Sequence, residues 1–303
     1  MKRSDKRLRR KFFQRIAILT GVLLWLLLSH TANAQHNPAH EQNHKASTYI
    51  LAVGCCVSYM LPRAEVCAHT AESFARLFVE KLEVPEKNLR LLVNKQATYE
   101  AVTKGLVWLS EVAGPEDTVI FYYNGHGTLL EDYEGDEEYG MDEVFILWSE
   151  DEPFSVLYAV ANKIWLIDDE LGEFIRAIHG GKVIIIADTC HASEAERGIY
   201  PPGAIVDYHQ EMAALMSSAR ADQVSLFDVD RKMGLFTAEL LKAVRAGDPN
   251  LKTAFTASSR EVQKLWPECA KRIGMDKYTS GQTPTLTDPS DVAAQIYFSG
   301  DGQ

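Results

Sequence analysis

Two stretches decide the fold of this chain: residues 118–128, which read TVIFYYNGHGT, and residues 182–193, which read KVIIIADTCHAS. In each stretch a run of apolar residues, many of them β-branched or aromatic, gives way to small and polar residues, as at the end of a buried strand. Apolar and polar residues do not alternate within either run, which indicates strands covered on both faces. The first strand is followed by His126 and the second by Cys190, so each presents one reactive side chain where it ends.

Strands and helices alternate along the rest of the chain. The apolar pattern predicts further strands at residues 48–53, 89–93, 144–148, 213–217 and 293–298. It predicts helices at residues 65–82, 98–112, 168–178 and 235–244. This order is typical of an α/β fold with a mostly parallel central sheet and helices on both faces. Ligands of such folds bind at the carboxyl ends of the strands, where His126 and Cys190 are expected to lie.

The chemistry of the chain is expected from His126 and Cys190. If their strands are neighbours, an imidazole and a thiol meet in one crevice, where the imidazole favours the thiolate nucleophile and supplies the general base or acid. A single Cys at a strand end is usually a small core residue, but a His and a Cys presented together are more specific. We expect the amide N–H groups of Gly127 and Cys190 to form an oxyanion hole.

These motifs resemble those of the caspase-type peptidases, and most closely those of the bacterial metacaspase-like branch. The segments 121–128 and 188–193 resemble the family's His and Cys motifs, and weaker matches at 217–223, 234–237 and 282–284 fit the same order. The resemblance spans residues 49–284. It implies a caspase–haemoglobinase fold and an endopeptidase that works through an acyl-enzyme on Cys190, with His126 as acid and base.

The resemblance also implies an acidic pocket for an Arg or Lys side chain before the cleaved bond. Asp188 and Cys67 match residues of that pocket, and Asn124 stands where the family has a serine. We therefore expect Cys67, Asn124 and Asp188 to bind substrate. Thr70 replaces a pocket acid, so one negative charge of two is missing, and a buried cation with half its partners is costly. A neutral or differently shaped pocket therefore remains an alternative.

Residues 131–143 contain eight acids and no base. Such a block is either a solvated loop or a site for calcium, a hard cation that binds several oxygen ligands. Asp142, Asp168 and Asp169 resemble the family's calcium ligands, whereas no EF-hand spacing is present. Possible activation by Ca²⁺ is therefore implied by the resemblance alone, and no cofactor is expected for the chemistry itself.

The N-terminal residues are typical of a secretory signal peptide. Eight basic residues precede an apolar run at 16–28, and Ala-Asn-Ala ends at residue 34. The apolar run is shorter than the roughly 20 residues that span a bilayer, although an uncleaved anchor is the alternative. We expect a signal peptide at 1–34, a polar lead-in at 35–47 and a peptidase domain at 48–303. The mature chain is expected to be periplasmic or secreted, without a membrane span.

Removing residues 1–34 leaves 23 basic and 41 acidic residues, a formal charge of −18. This charge disfavours nucleic acid as a partner, so polypeptide substrates are expected, bound by a monomer. The five cysteines are an odd number, and an exported chain then keeps at least one thiol outside a disulfide. Cys55 and Cys56 are expected to be small core residues, or one of them pairs with Cys67 or Cys269.

Two alternatives to this peptidase remain from the sequence. One is a related Cys/His peptidase with different specificity, such as an asparaginyl or gingipain-like enzyme. The other is a caspase-like scaffold or binding protein without turnover, which the presence of both His126 and Cys190 disfavours. Arg197 and Arg220 are candidate sites of self-cleavage.

Overall fold

The computed structural model describes residues 46–58, 61–62, 64–132, 141–150, 153–190, 213–220, 222–277 and 280–299. The chain divides between Lys45 and Ala46. The predicted signal peptide at 1–34 and almost all of the lead-in at 35–47 therefore lie outside the described residues. Within the described ranges, no helix is both long enough and apolar enough to cross a membrane.

The described part of the chain contains thirteen strands. In chain order they are β1 Thr48–Cys55, β2 Val57–Ser58, β3 Leu61–Pro62, β4 Leu89–Val93, β5 Thr118–Gly125, β6 Gly127–Glu131, β7 Met141–Phe145, β8 Leu166–Ile167, β9 Lys182–Asp188, β10 Ala213–Ser217, β11 Phe227–Asp228, β12 Met233–Gly234 and β13 Thr285–Thr287.

Six α-helices are described. They are α1 Ala64–Lys81, α2 Tyr99–Val112, α3 Val156–Ala161, α4 Asp168–Arg176, α5 Leu235–Arg245 and α6 Leu251–Ile273. Thr98 caps the start of α2, because its hydroxyl oxygen accepts the amide N–H of Ala101 at 3.2 Å. Three acidic residues open α4, where the positive end of the helix dipole favours them.

Six strands form the central sheet in the order β13-β10-β9-β5-β1-β4. All neighbouring pairs are parallel except β10 with β13, which is antiparallel. The predicted α/β fold with a mostly parallel sheet is confirmed. β5 and β9 are adjacent at the centre, and their carboxyl ends therefore meet at one edge. A smaller three-stranded sheet, β6-β7-β8, follows β5 directly.

Alternate side chains of β5 enter two separate apolar cores. Ile120 and Tyr122 pack with residues of α1, α5 and α6, and the ring of Tyr122 stacks on Phe74 at a centroid distance of 3.9 Å. Phe121 and Tyr123 face the opposite core, which holds residues of α2 and α4. Helices therefore cover both faces of the sheet, which explains the continuous apolar run of β5.

Two predictions about secondary structure were wrong. Residues 293–298 form no strand: Ala293–Gln295 is a 3₁₀ turn, because the carboxylate of Asp288 accepts the N–H groups of Val292 and Ala293 at 2.7 and 3.0 Å. The last strand of the sheet is β13 instead. The strand predicted at 144–148 begins and ends earlier, as β7.

Candidate active site

The backbone register of β5 and β9 brings His126 and Cys190 to equivalent positions. Asn124 pairs with Asp188 across the two strands, and the His and the Cys each follow two residues later. Both residues line a cavity of about 260 Å³ at the carboxyl edge of the sheet. The predicted crevice containing both groups is therefore present.

The three predicted substrate-binding residues line the same cavity. Cys67, Asn124 and Asp188 form part of its wall, and apolar side chains of Leu226 and Met275 add to it. Their role in binding stays a prediction.

His126 is held through its backbone and buried at its ring. Its carbonyl oxygen accepts the Tyr123 hydroxyl at 2.9 Å and the Ile146 amide N–H at 3.0 Å. Among the residues described, its Nε2 atom has no hydrogen-bond partner. Burial lowers the pKa of the imidazole, because the charged form loses hydration. The ring is therefore neutral near pH 7 and ready to accept a proton.

The thiol of Cys190 donates a hydrogen bond to the carbonyl oxygen of Ser225, with Sγ and O 4.0 Å apart. Desolvation raises its pKa, the contact with Ser225 lowers it, and the charge of Asp188 raises it further. The resting pair is accordingly a neutral thiol and a neutral imidazole. In such a neutral pair, a thiol that attacks a substrate has to give up its proton as the sulfur attacks, and the imidazole is the base in the same cavity.

Gly127 packs directly against the backbone of the Cys. A Cβ atom at this position would lie 2.7 Å from Oγ1 of Thr189, and closer still to the carbonyl oxygen of Cys190. No side chain fits there. The close approach places Gly127 beside Cys190, and its part in an oxyanion hole stays a prediction.

Asp188 is buried and already bonded within the protein. Its Oδ1 atom accepts the Ser225 hydroxyl at 2.8 Å, and its Oδ2 atom accepts the hydroxyl and the amide N–H of Thr237 at 2.6 and 3.2 Å. Burial raises the pKa of this carboxyl, and the hydrogen bonds from Thr237 and Ser225 oppose that rise. Internal donors therefore already occupy both oxygens of the carboxylate that the cavity presents.

Ser225 and Thr237 were not predicted as part of the site. The sequence singled out the segment 234–237 without assigning it a role, and Ser225 carried no signal at all. Both contact Asp188 across long separations in the chain.

Asn124 presents an amide oxygen without a partner. The residue is 5% exposed, and its Nδ2 group donates to the carbonyl oxygen of Asp188 at 3.0 Å. Its Oδ1 atom is buried and accepts no hydrogen bond from the described part of the chain. A substrate side chain that carries N–H donors suits this position.

Thr70 links α1 to β12 through its hydroxyl group. Its hydroxyl oxygen accepts the amide N–H of Gly234 at 3.1 Å and donates to the carbonyl of Val66 at 2.6 Å. Thr70 is absent from the described residues that line the cavity. Asp188 is therefore the one carboxylate among those lining residues.

Cys56 and Cys67 form a disulfide, with Cα atoms 5.4 Å apart. Of the pairings left open by the sequence, the structure has this one. Both cysteines line the cavity. Cys190 and Cys269 are outside any disulfide.

The predicted calcium ligands lie on adjoining elements. Asp142 is buried in β7, and Asp168 and Asp169 open α4 directly after β8, the neighbour of β7. In the described ranges, however, no three His, Cys, Asp or Glu side chains converge to hold a metal ion. Residues 133–140 of the acidic block lie outside the described residues, and the calcium assignment stays a prediction.

Of the two candidate self-cleavage sites, Arg197 lies outside the described residues. Arg220 is exposed and forms an ion pair with Asp222 at 3.2 Å.

Comparison with known sequences places residues 34–291 in a match to the family model for the caspase domain. Metacaspase-1 of Meyerozyma guilliermondii is 33% identical over 104 residues, 34% of this chain and 23% of that protein. Metacaspase-1 of Arabidopsis thaliana is 30% identical over 151 residues, 46% of this chain and 38% of that protein. The matches thus span about a quarter to two fifths of the curated relatives.

Two solved structures share the fold. A crystal structure of a Geobacter sulfurreducens protein aligns with a TM-score of 0.54 and 20% identity, covering 80% of this chain and 92% of that one. Caspase-1 from Spodoptera frugiperda aligns with a TM-score of 0.52 and 12% identity, covering 82% and 90% of the two chains. At these identities the likeness shows the fold alone.

Proposed function

Because the chain belongs to the caspase domain family of cysteine peptidases, peptidase C14, we propose that it is an exported cysteine endopeptidase with Cys190 as nucleophile and His126 as acid and base. The observation that carries the proposal is the register of β5 and β9. It places both side chains two residues beyond a paired position, in one cavity.

The catalytic cycle starts from the neutral pair. The imidazole of His126 takes the thiol proton as the sulfur of Cys190 attacks the peptide carbonyl carbon, which gives a tetrahedral intermediate. The amide N–H groups of Gly127 and Cys190 donate to its oxyanion. His126 returns the proton to the departing amine, which leaves an acyl-enzyme. It then takes a proton from the water that attacks the acyl carbon, and passes this proton to the departing Cys190 sulfur as the acid is released.

We propose Arg or Lys as the preferred residue before the cleaved bond. Two hydrogen-bond acceptors in the cavity support it, the carboxylate of Asp188 and the amide oxygen of Asn124, because Arg and Lys side chains carry N–H donors. The preference over neutral side chains is expected to be modest, because Asp188 is already bonded to Ser225 and Thr237. The same saturation favours a second candidate, a peptidase that takes a neutral polar side chain such as Asn or Gln.

Export to an oxidising compartment is supported by the disulfide between Cys56 and Cys67. We also propose calcium as a modulator of activity. The resemblance and the adjoining positions of Asp142 and Asp168 support this proposal.

The test is hydrolysis of fluorogenic peptides with Arg, Lys, Asn, Gln or Asp before the cut, by the purified protein with and without calcium. We expect cleavage that Cys190→Ala abolishes, while the matched variant Cys269→Ala retains it. Cleavage after Asn or Gln in place of Arg and Lys would keep the mechanism and overturn the basic specificity. No Cys190-dependent cleavage of any peptide would contradict the peptidase proposal and favour a scaffold or binding protein.

A further inference from the structure

Two cysteines that take no part in the catalytic cycle form part of the cavity. Cys56 and Cys67 are joined by a disulfide, and both line the cavity that holds His126 and Cys190. They are only 7% and 4% exposed. The bond is therefore part of the cavity wall rather than a bridge on the outer surface.

The disulfide closes the corner between β1 and α1. Cys56 directly follows the last residue of β1, and Cys67 lies in the first turn of α1. Strand and helix touch there, because a Cβ atom on Gly54 would lie 2.5 Å from the carbonyl oxygen of Cys67 and 2.7 Å from Cβ of Ala71. The bond thus fixes the start of α1 against the end of β1, a strand of the central sheet.

The same helix end contacts the residues that face the substrate side chain. Thr70 lies one turn after Cys67 and accepts the N–H of Gly234. A Cβ atom on Gly234 would lie 3.1 Å from Nδ2 of Asn124, and closer still to Oδ2 of Asp188. A shift of the start of α1 would therefore displace Gly234, which packs against both Asn124 and Asp188.

We propose that the Cys56–Cys67 disulfide sets how tightly the cavity holds the substrate side chain, so that peptide binding depends on the redox state of this pair. The inference rests on the proposed peptidase function. Reduction adds two electrons and two protons and breaks the S–S bond, leaving two thiols. A water-soluble phosphine supplies the electrons and becomes a phosphine oxide, with oxygen from water. Without the covalent link, this part of the cavity wall is less ordered before the peptide binds. Ordering it on binding costs free energy, which weakens binding.

The experiment compares the kinetics of wild type, Cys56→Ser/Cys67→Ser and the control Cys269→Ser on the best peptide, with and without the phosphine. We expect KM to rise about tenfold in the double variant and in phosphine-treated wild type, with kcat per titrated Cys190 nearly unchanged. The control should behave like wild type, and the phosphine should not raise KM further in the double variant. The inference would be overturned if KM of the double variant and of phosphine-treated wild type stayed within about twofold of KM of untreated wild type.

Thiol counting tests the inference independently of turnover. Five cysteines with one disulfide leave three alkylated cysteines when untreated protein is denatured and alkylated, and five after reduction. Five before reduction would overturn the inference. If the double variant fails to fold, the phosphine-treated wild type decides.

If no peptide is hydrolysed, the proposed function fails and a binding readout replaces KM. The rate at which a peptidyl chloromethyl ketone alkylates Cys190 is divided by the rate for iodoacetamide. A ratio that falls on reduction supports the disulfide's role in binding, and an unchanged ratio refutes it.

Discussion

Gly127→Ala is the substitution whose effect follows most directly from the geometry of the site. The added Cβ atom would lie 2.7 Å from Oγ1 of Thr189 and closer still to the carbonyl oxygen of Cys190, where real Cβ contacts below 3.0 Å are essentially unknown. The first contact alone demands a shift of about 0.3 Å, and the second demands more. Because the obstacle is the backbone of Cys190, the displacement falls on Cys190 itself.

Two magnitudes follow from this displacement. Overpacking of this kind costs about 1–3 kcal/mol of folding free energy, which lowers Tm by several degrees for a domain of this size. A misplacement approaching 1 Å in an active site costs on the order of 100-fold in rate. We therefore expect kcat/KM to fall about 10- to 100-fold while most of the stability is kept.

The assay measures peptide hydrolysis together with thermal unfolding, and Gly114→Ala is the matched control. At Gly114 the nearest atom to an added Cβ is Oδ2 of Asp117 at 3.6 Å, an ordinary contact. The control should keep wild-type activity. Gly127→Ala with activity within about twofold of the control would refute the inferred packing of Gly127 on Cys190.

Four further perturbations have expected outcomes. Thr70→Val leaves the buried N–H of Gly234 without its acceptor, so the free energy of unfolding in urea should fall by about 1–3 kcal/mol; an unchanged value would contradict that bond. Tyr123→Phe removes the hydroxyl that binds the His126 carbonyl, and kcat should fall about tenfold with KM unchanged. The pKa of His126 lies below its usual 6.5 and its neutral ring is the proposed base, so kcat/KM should decline with falling pH only below about 6.5. A decline of kcat/KM centred above pH 7 would refute this role. Calcium should raise the rate of hydrolysis, and a chelator should reverse this rise. The variant Asp142→Asn should need a higher calcium concentration for the same rate. A rate that responds to neither calcium nor the chelator would refute the calcium assignment.

The sequence predicted the sheet because its central strands are buried on both faces. The apolar runs of β5 and β9 are short and continuous, so they lack the apolar spacing of an amphipathic helix. A polar turn ends each of them. That β5 and β9 are neighbours was only assumed, since strand order leaves no local signal. It is this adjacency that brings His126 and Cys190 together.

The elements that were missed have physical reasons. The 23-residue helix α6 contains Pro267 and many polar residues, and its start depends on the side chain of Asn250, which accepts the N–H of Thr253 at 3.0 Å. The hydroxyls around Asp188 come from Ser225 and Thr237, 37 and 49 residues away in the chain. Contacts at such separations depend on the fold, so a single sequence does not show them.

The central position of β5 and β9 has a consequence for heat inactivation. Fraying of a sheet starts at its borders, here β4 and β13, whereas the two middle strands open only when the whole domain unfolds. The spacing of His126 and Cys190 is set by the main-chain hydrogen bonds between those middle strands. Amide protons of β5 and β9 should therefore be among the slowest to exchange with solvent. Loss of activity on heating should follow global unfolding rather than precede it.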